Sequence, residues 1–378
     1  MTHLVDVFFD LDGIAFIGNA LRQTFTALEA IESVVFAGQS ITLPAEIGGD
    51  YLARPVTLED IEAAVGLFNC YSQWQTGKNQ ASVEDTLLEW QEPGYALDDS
   101  TLAVWDRQGE IAGYIEFYDK GAPHNLLFCW GLVHPEHQGR GLGGFLLDWS
   151  VQRAQRNIAL APEGARVVLH HSVLSTNQEA ARLLNSRGFY HVRSYYHMRI
   201  DLDQPPVQPR LPEGITIRSI ARGEERLAVQ TVYDSFHDHW GFTEEPFEQY
   251  FQRWNHRLEN DTKYDPSLYF IAMDGDEVAG VVLCYDHLEM DPEMAWVGSL
   301  GVRRAWRKRG LGTALLQHAF NVFYQRGKPR AGLGVDSSSL TGAVRLYEKA
   351  GMYTFRTYHA YELELRAGED LMTQQVEE

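Results

Sequence analysis

Apolar and polar positions alternate in short bursts, give way to helical spacing, and then do so a second time. Residues 101–119, TLAVWDRQGEIAGYIEFYD, read as two strands joined at Gln108-Gly109, and residues 268–286, LYFIAMDGDEVAGVVLCYD, repeat the form around Asp274-Gly275-Asp276. Gly113 corresponds to Gly280. FCWGLV (128–133) and WVGSLGV (296–302) follow as strands, and each runs into a glycine-rich loop. Behind each loop the period changes to that of an amphipathic helix. Leu142, Phe145, Leu146 and Trp149 share one face, as do Leu311, Leu315, Ala319 and Val322. RVVLHHSV (166–173) and AGLGVDSS (331–338) read as further strands. Short helices then close the unit, NQEAARLLNSRGF (177–189) and LTGAVRLYEKAGM (340–352), with Gly188 and Gly351 as C-terminal caps.

The loops read QGRGLGG at 138–144 and RKRGLGT at 307–313, so Gly141 and Gly310 stand 169 residues apart (310 − 141). Glycine lets a backbone approach a ligand closely, and a helix N-terminus offers unpaired N–H groups and a positive dipole end. Such loops suit phosphate. The first also fits the dinucleotide pattern G-x-G-x-x-G, but the second places Lys308 where the first glycine would stand. Both loops also follow a strand meander rather than an opening strand, which argues against that fold.

The motif pairs define the resemblance. LVHPEHQGRGLGGFLL (132–147) carries V-x-P-x-x-Q-x-x-G-x-G, and SLGVRRAWRKRGLGTALL (299–316) carries it with Arg304 replacing the proline. The closing helices carry N-x-x-A-x-x-L-x-x-x-x-G-F, with Leu340 and Met352 as the departures in the second copy. In these residues the chain resembles the GNAT superfamily of N-acetyltransferases, and its tandem layout resembles the mycothiol synthase-like two-domain members. The resemblance implies an α/β (α+β) protein of two tandem GNAT folds, each a mixed, mostly antiparallel central sheet flanked by helices. It places an extension at 1–50, an N-terminal domain at 51–203 and a Pro-rich linker at 204–213. A C-terminal domain then spans 214–366, and 367–378 is expected to be a frayed acidic tail.

The resemblance further implies acetyl-CoA as co-substrate and no metal. Leu300 and Val302 are expected to face the pantetheine, and Arg307, Lys308, Arg309, Gly310, Leu311, Gly312 and Thr313 to surround the pyrophosphate. In the first copy the counterparts are Leu132, Val133, Gln138, Gly139, Arg140, Gly141, Leu142, Gly143 and Gly144. Residues 303–309 hold five basic groups, whereas 134–140 hold one lasting cation, Arg140, beside Glu136. That contrast favours the second loop for an anionic ligand.

The family's general acid, a tyrosine on the last helix, corresponds to Tyr347; the first copy has Leu184, which cannot donate a proton. The second domain is therefore expected to be catalytic and the first degenerate. Tyr347 also fits an apolar stripe with Ala343, Leu346 and Ala350. The base is open among Asp336, His237, His239 and Glu293, each with an ordinary structural role as an alternative, and a water-mediated path. Trp240, Phe242, Phe247, Tyr250, Phe251 and Trp254 serve either as core or as an acceptor wall, with Glu244, Glu245 and Glu248 among them.

The expected reaction is acetyl transfer to a primary amine of a small molecule. An acyl-CoA sensor without turnover and a protein N-terminal or lysine acetyltransferase are the alternatives. Composition narrows the partners. A net charge of −20 argues against non-specific nucleic-acid binding, and three scattered cysteines form neither a metal set nor a disulfide framework. With no signal-like leader and no membrane-length apolar run, a cytoplasmic monomer or homodimer is expected. FFDLDG, with Asp10 and Asp12, resembles a haloacid-dehalogenase-type phosphatase motif, but too few residues surround it to form that fold.

Overall fold

The structure, a computed structural model, describes residues 34–36, 39–41, 43, 47, 49–288 and 291–375. Asp10 and Asp12 lie outside the described residues.

A short hairpin, β1 (Val34–Phe36) with β2 (Gln39–Ile41), stands apart from the main sheet. The first repeat runs β3 (Tyr51–Arg54), α1 (Ile61–Thr76), α2 (Val83–Trp90), α3 (Leu97–Ser100), β4 (Thr101–Asp106), β5 (Ile111–Asp119), β6 (Leu126–Val133), α4 (Leu142–Gln155), β7 (Val167–Leu174), α5 (Gln178–Ser186) and β8 (Tyr190–Asp201). The second runs β9 (Ile215–Ser219), α6 (Glu225–Phe236), α7 (Phe247–Asn260), β10 (Tyr269–Asp274), β11 (Glu277–Tyr285), β12 (Met294–Val302), α8 (Leu311–Gln325), β13 (Arg330–Asp336), α9 (Ala343–Lys349) and β14 (Tyr353–Arg366). The fold is mixed α/β, with a mostly antiparallel sheet flanked by helices. Among the described strands, the pairs β6·β7 and β12·β13 are the parallel ones.

Both faces of the sheet are covered, so its strands are nearly continuously apolar. Leu142, Leu146 and Leu147 of α4 pack with Leu127 and Leu169 on one face, while Ala64, Leu67 and Phe68 of α1 pack with Trp105 and Tyr114 on the other. The second repeat builds the same two layers with α8 and α6.

The closing helix of the second repeat is shorter than its motif predicts. Asn177 caps α5 by accepting from the Ala180 amide at 3.0 Å. Leu340 stands in its place and cannot cap, so α9 begins only at Ala343, after Gly342 in a left-handed conformation.

Two strands cross between the repeats. The sheet order is β3-β4-β5-β6-β7-β14-β8-β13-β12-β11-β10-β9, a single twelve-stranded sheet. The last strand of the second repeat, β14, lies between β7 and β8, with Tyr358 opposite both Leu174 and Tyr195. The last strand of the first repeat, β8, lies against β13, with Tyr195 opposite Asp336.

A buried polar lock ties this junction. Glu362 on β14 accepts from Tyr190 at 2.6 Å, from His170 Nε2 at 2.9 Å and from Arg166, which also reaches Glu364 at 2.7 Å. Glu362 and His170 are both almost fully buried.

The expectation of a frayed tail at 367–378 is corrected as far as residue 375. Glu369 exchanges backbone hydrogen bonds with Gly164 and Arg166, and Thr373 exchanges them with Gly241 and Phe242. Met372 is buried, and Arg166 faces Asp370 at 3.6 Å, which offsets part of the acidic charge. In the connector, Gln208 and the Val207 carbonyl hydrogen-bond Asn321 of α8. No helix among the described residues is long and apolar enough to cross a membrane.

Candidate functional site

The site begins where two parallel strands part. β12 and β13 pair from Met294·Arg330 to Val297·Leu333 and then diverge. At the same point β12 carries a bulge against β11, because Leu283 pairs with Ser299 while Cys284 pairs with Val297, leaving Gly298 extra. A side chain at 298 would meet the Tyr285 ring at 2.5 Å, so only glycine fits the bulge as built. The first repeat parts in the same way after Cys129·His171, but β5 and β6 pair there without a bulge.

The opening in the second repeat is a cleft continuous with solvent. Val297, Gly298 and Leu300 form one wall, and Leu333, Gly334, Val335 and Asp336 the other. Ser339, Leu340, Ala343 and Tyr347 close one side. Phe236 at the end of α6, with His239 and Trp240 just beyond it, closes the opposite side together with Tyr195.

Below the cleft lies the second glycine loop. Gly310 caps α8 with φ of 85°, and nothing lies within 4 Å of where a Cβ would project. Lys308 also takes positive φ, 61°, at the place where the first loop has Gly139 with φ of 76°. A non-glycine residue held there is strained, a cost of about 1–3 kcal/mol that tends to accompany function. Leu311 is buried, Gly312 lies close against Leu346, and Thr313 is half-buried in the first turn.

The five cations of 303–309 divide into two groups. Arg303 pairs with Asp234 at 2.7 Å, and Arg304 and Arg307 both grip Asp238. Burial works against the Asp238 charge, but the two guanidiniums hold its carboxyl below the ordinary range. Arg307 also donates to the carbonyls of Val302 and Ser235, so it braces the strand end against α6. Lys308 and Arg309 are exposed and form no ion pair among the described residues.

Of the proposed acid–base residues, three reach the cleft. Tyr347 is packed among core residues yet lines the cleft, and its hydroxyl has no hydrogen-bond partner among the described residues. Burial pushes its pKa up to about 12. The Met352 amide donates to the Tyr347 carbonyl through the glycine cap, which fixes the residue at the helix end. His239 lines the opposite side, where burial and the nearby Arg307 charge push its imidazole down to about 4. Asp336 also lines the cleft but is ion-paired to Arg193 at 3.1 Å. His237 is exposed, stacks on Phe242 at 4.6 Å and does not line the cleft. Glu293 sits at the opposite end of β12, paired with Arg330 at 2.7 Å.

The aromatic segment resolves mostly into core. Phe247, Tyr250, Phe251 and Trp254 pack against α6, and Glu245 and Glu248 are paired with Arg253 and Arg226. Trp240 alone among those aromatics lines the cleft.

The first loop keeps the backbone but not the surroundings. Gly141 caps α4 with φ of 85°, Leu132 and Leu142 are buried, Gly143 abuts Leu183, and the Arg187 guanidinium lies over Gly144. Arg140, its one lasting cation, is held by the Tyr51 hydroxyl and the Glu136 carbonyl; Gln138 and Val133 are half-buried. Tyr71 of α1 accepts from Asn177 at 2.8 Å, and Leu184 is buried where Tyr347 stands in the second repeat.

Sequence reasoning missed Gly298, Tyr195 and Arg193. The bulge has no local signature; Tyr195 lines the cleft, and Arg193 contacts its lining residues Asp336 and Trp240, only through strand exchange.

The profile of the Acetyltransferase (GNAT) family matches residues 62–189 and 229–352. A mycothiol acetyltransferase of Streptomyces scabiei is 30% identical over 259 residues, covering 68% of this chain and 77% of that relative. Among solved structures, a GCN5-related N-acetyltransferase from Sphaerobacter thermophilus superposes with a TM-score of 0.70 at 34% identity, covering 87% of this chain and 99% of its own. A tandem GNAT protein from the clavulanic acid biosynthesis pathway shares the fold at a TM-score of 0.58 and 16% identity, covering 85% and 100% of the two chains.

Proposed function

The chain belongs to the acetyltransferase (GNAT) family and is an acetyl-CoA-dependent acyltransferase; from that premise we propose that its second repeat transfers the acetyl group to a primary amine of a small molecule. The observation that carries this reading is Tyr347, which lines the cleft where β12 and β13 part and whose hydroxyl has no partner among the described residues.

The residues fit the co-substrate. The open amides around Gly310, the free cations Lys308 and Arg309, and the start of α8 suit a pyrophosphate. The diverging edges at Gly298–Leu300 and Leu333–Val335 suit an extended pantetheine arm, since they carry backbone groups that no longer pair with each other. Acetyl-CoA supplies the thioester, and the chain supplies the proton management. Tyr347 holds its proton throughout the working range and delivers it to the departing thiolate sulfur, while the proton shed by the attacking nitrogen leaves to solvent, from which the Tyr347 hydroxyl is restored. His239 is neutral there, so it accepts a hydrogen bond from the incoming amine. At about 4 it is too weak a base to keep a proton from an alkylammonium, whose pKa lies near 10. The amine therefore reacts from its unprotonated form.

This fixes a pH dependence. His239 protonates only below about 4 and Tyr347 ionises only near 12, so neither limits the rate between. We expect kcat/KM to rise about tenfold per pH unit until the pKa of the amine itself. A plateau beginning near pH 7 overturns the assignment of His239 as acceptor rather than base.

The two free cations give a binding test. We expect the double variant Lys308→Glu, Arg309→Glu to weaken acetyl-CoA binding by about 10–100-fold in calorimetry, with a shallower salt dependence. Arg140→Glu in the first loop is expected to leave that affinity unchanged. The converse pattern moves the co-substrate to the first repeat and overturns the proposal.

A further inference from the structure

Resting on the reading of the second cleft as the acetyl-transfer site, we infer that its acceptor side is set by the first repeat, through Arg193 on the exchanged strand β8. Arg193 is a positioning residue: it acts on two groups that line the cleft, Asp336 and Trp240.

The geometry is specific. Arg193 Nε donates to Asp336 Oδ2 at 3.1 Å, and a terminal nitrogen reaches the Ser338 carbonyl at 3.4 Å. Asp336 Oδ1 accepts the Ser338 amide at 2.9 Å, and the Ser337 amide donates to the Ser194 carbonyl at 2.9 Å. Arg193 therefore pins the turn that leaves β13, and with it Ser339 at the cleft edge. Its guanidinium also lies 4.5 Å from the centre of the Trp240 ring. Trp240 also stacks on His170 of β7 at 6.3 Å and 11°, and its Nε1 donates to Gln374 at 2.8 Å. The wall facing Tyr347 is thus built on two strands of the first repeat and on the C-terminal segment. Tyr195, opposite Asp336 in the ladder, comes from that repeat as well.

Charge and burial explain why arginine stands here. Both Arg193 and Asp336 keep only 17% of their side-chain exposure, so the pair is largely dry. A planar guanidinium can stack on the indole and donate sideways to the carboxylate at once, which an ammonium cannot. Each Asp336 oxygen has a partner and a second lone pair left, so the carboxylate can accept a hydroxyl or N–H from a ligand in the cleft. With Ser339, Tyr195 and His239 also lining the cleft, the chemistry that fits is a small hydroxylated primary amine.

The test uses the full-length enzyme with glucosamine, serinamide and ethanolamine as hydroxylated amines and benzylamine as the apolar contrast. Arg193→Lys and Arg193→Met are expected to raise the acceptor KM by about tenfold or more, with kcat within about threefold and acetyl-CoA affinity unchanged. Asp336→Asn is expected to match them, and the double variant to add nothing further, because the two residues act as one unit. An unchanged acceptor KM overturns the inference, as do additive effects or a parallel loss of acetyl-CoA affinity that marks general unfolding. Preference of the parent enzyme for benzylamine overturns it too.

Tyr347→Phe run in parallel separates the two readings. Full turnover in that variant with a raised KM in the Arg193 variants removes the catalytic reading and leaves this one standing. Lost turnover in Tyr347→Phe with parental KM in the Arg193 variants does the reverse.

Discussion

Tyr347→Phe is expected to lower kcat by about 10²–10⁴-fold while leaving the acetyl-CoA dissociation constant within about a factor of two. The side chain is 8% exposed and packs in the core beside Leu311, Leu315 and Met352, so phenylalanine fills the same space and opens no cavity. Its hydroxyl bonds to no protein group among the described residues, so removal strands no buried partner. The loss is therefore chemical rather than structural. Release of the CoA thiol, followed spectrophotometrically under saturating acetyl-CoA, reads it directly. Turnover equal to the parent excludes Tyr347 as the acid. Tyr347→Leu recreates the first repeat's Leu184 and is expected to be as inactive.

The second large effect concerns stability. Glu362→Leu removes the carboxylate that Arg166, His170 and Tyr190 share at the junction of the repeats. Arg166 keeps Glu364 and Asp370, but the buried His170 loses its partner. Breaking a buried pair from one side costs about 3–5 kcal/mol, and denaturant unfolding at neutral pH should show a loss of that order. A change below about 1 kcal/mol means the lock is ornamental.

The same group sets an acid limit. Burial works to raise the Glu362 pKa, but His170, Arg166 and Tyr190 together hold it down to about 2, below the ordinary 4.5. A carboxyl depressed on folding stabilises the native state fully above its unfolded pKa. That contribution is lost as pH falls from about 4.5 through about 2. Glu362→Gln should flatten the stability profile across that window. Because His170 supports Trp240, the same variants should also raise the acceptor KM.

Much of the fold is legible from local pattern. The hairpin at Gln108-Gly109 and its partner at Asp274-Gly275, the strands entering each glycine loop and the helices behind them all follow from short-range period and turn chemistry. Tyr347 is legible because its motif fixes its register four residues before the glycine cap at Gly351. The replacement at Leu340 is legible too, and its consequence, a helix that starts late, follows from the missing side-chain cap.

What stays hidden is non-local. The patterns of β8 and β14 are alike, so nothing in either says whether it completes its own half or the other. Arg303, Arg304 and Arg307 look like a phosphate cluster until Asp234 and Asp238 are seen beside them. The docking of 366–375 combines backbone pairs, a buried methionine and side-chain contacts such as Arg366 on the Ala165 carbonyl and Trp240 on Gln374, none of which the acidic composition reveals.

The exchanged strand also orders synthesis. On the ribosome the first repeat emerges complete in motif but not in structure, because the slot between β7 and β8 is filled only by β14. Until residue 366 has left the tunnel, both slot edges present unpaired N–H and C=O groups to any strand nearby. The nascent protein must therefore carry an open seam through more than 160 further residues of translation, between the end of β8 at Asp201 and the end of β14 at Arg366. The covalent linker holds β14 at a high local concentration near that slot. Cutting the gene at the linker removes that advantage and turns a folding step into an encounter between two molecules.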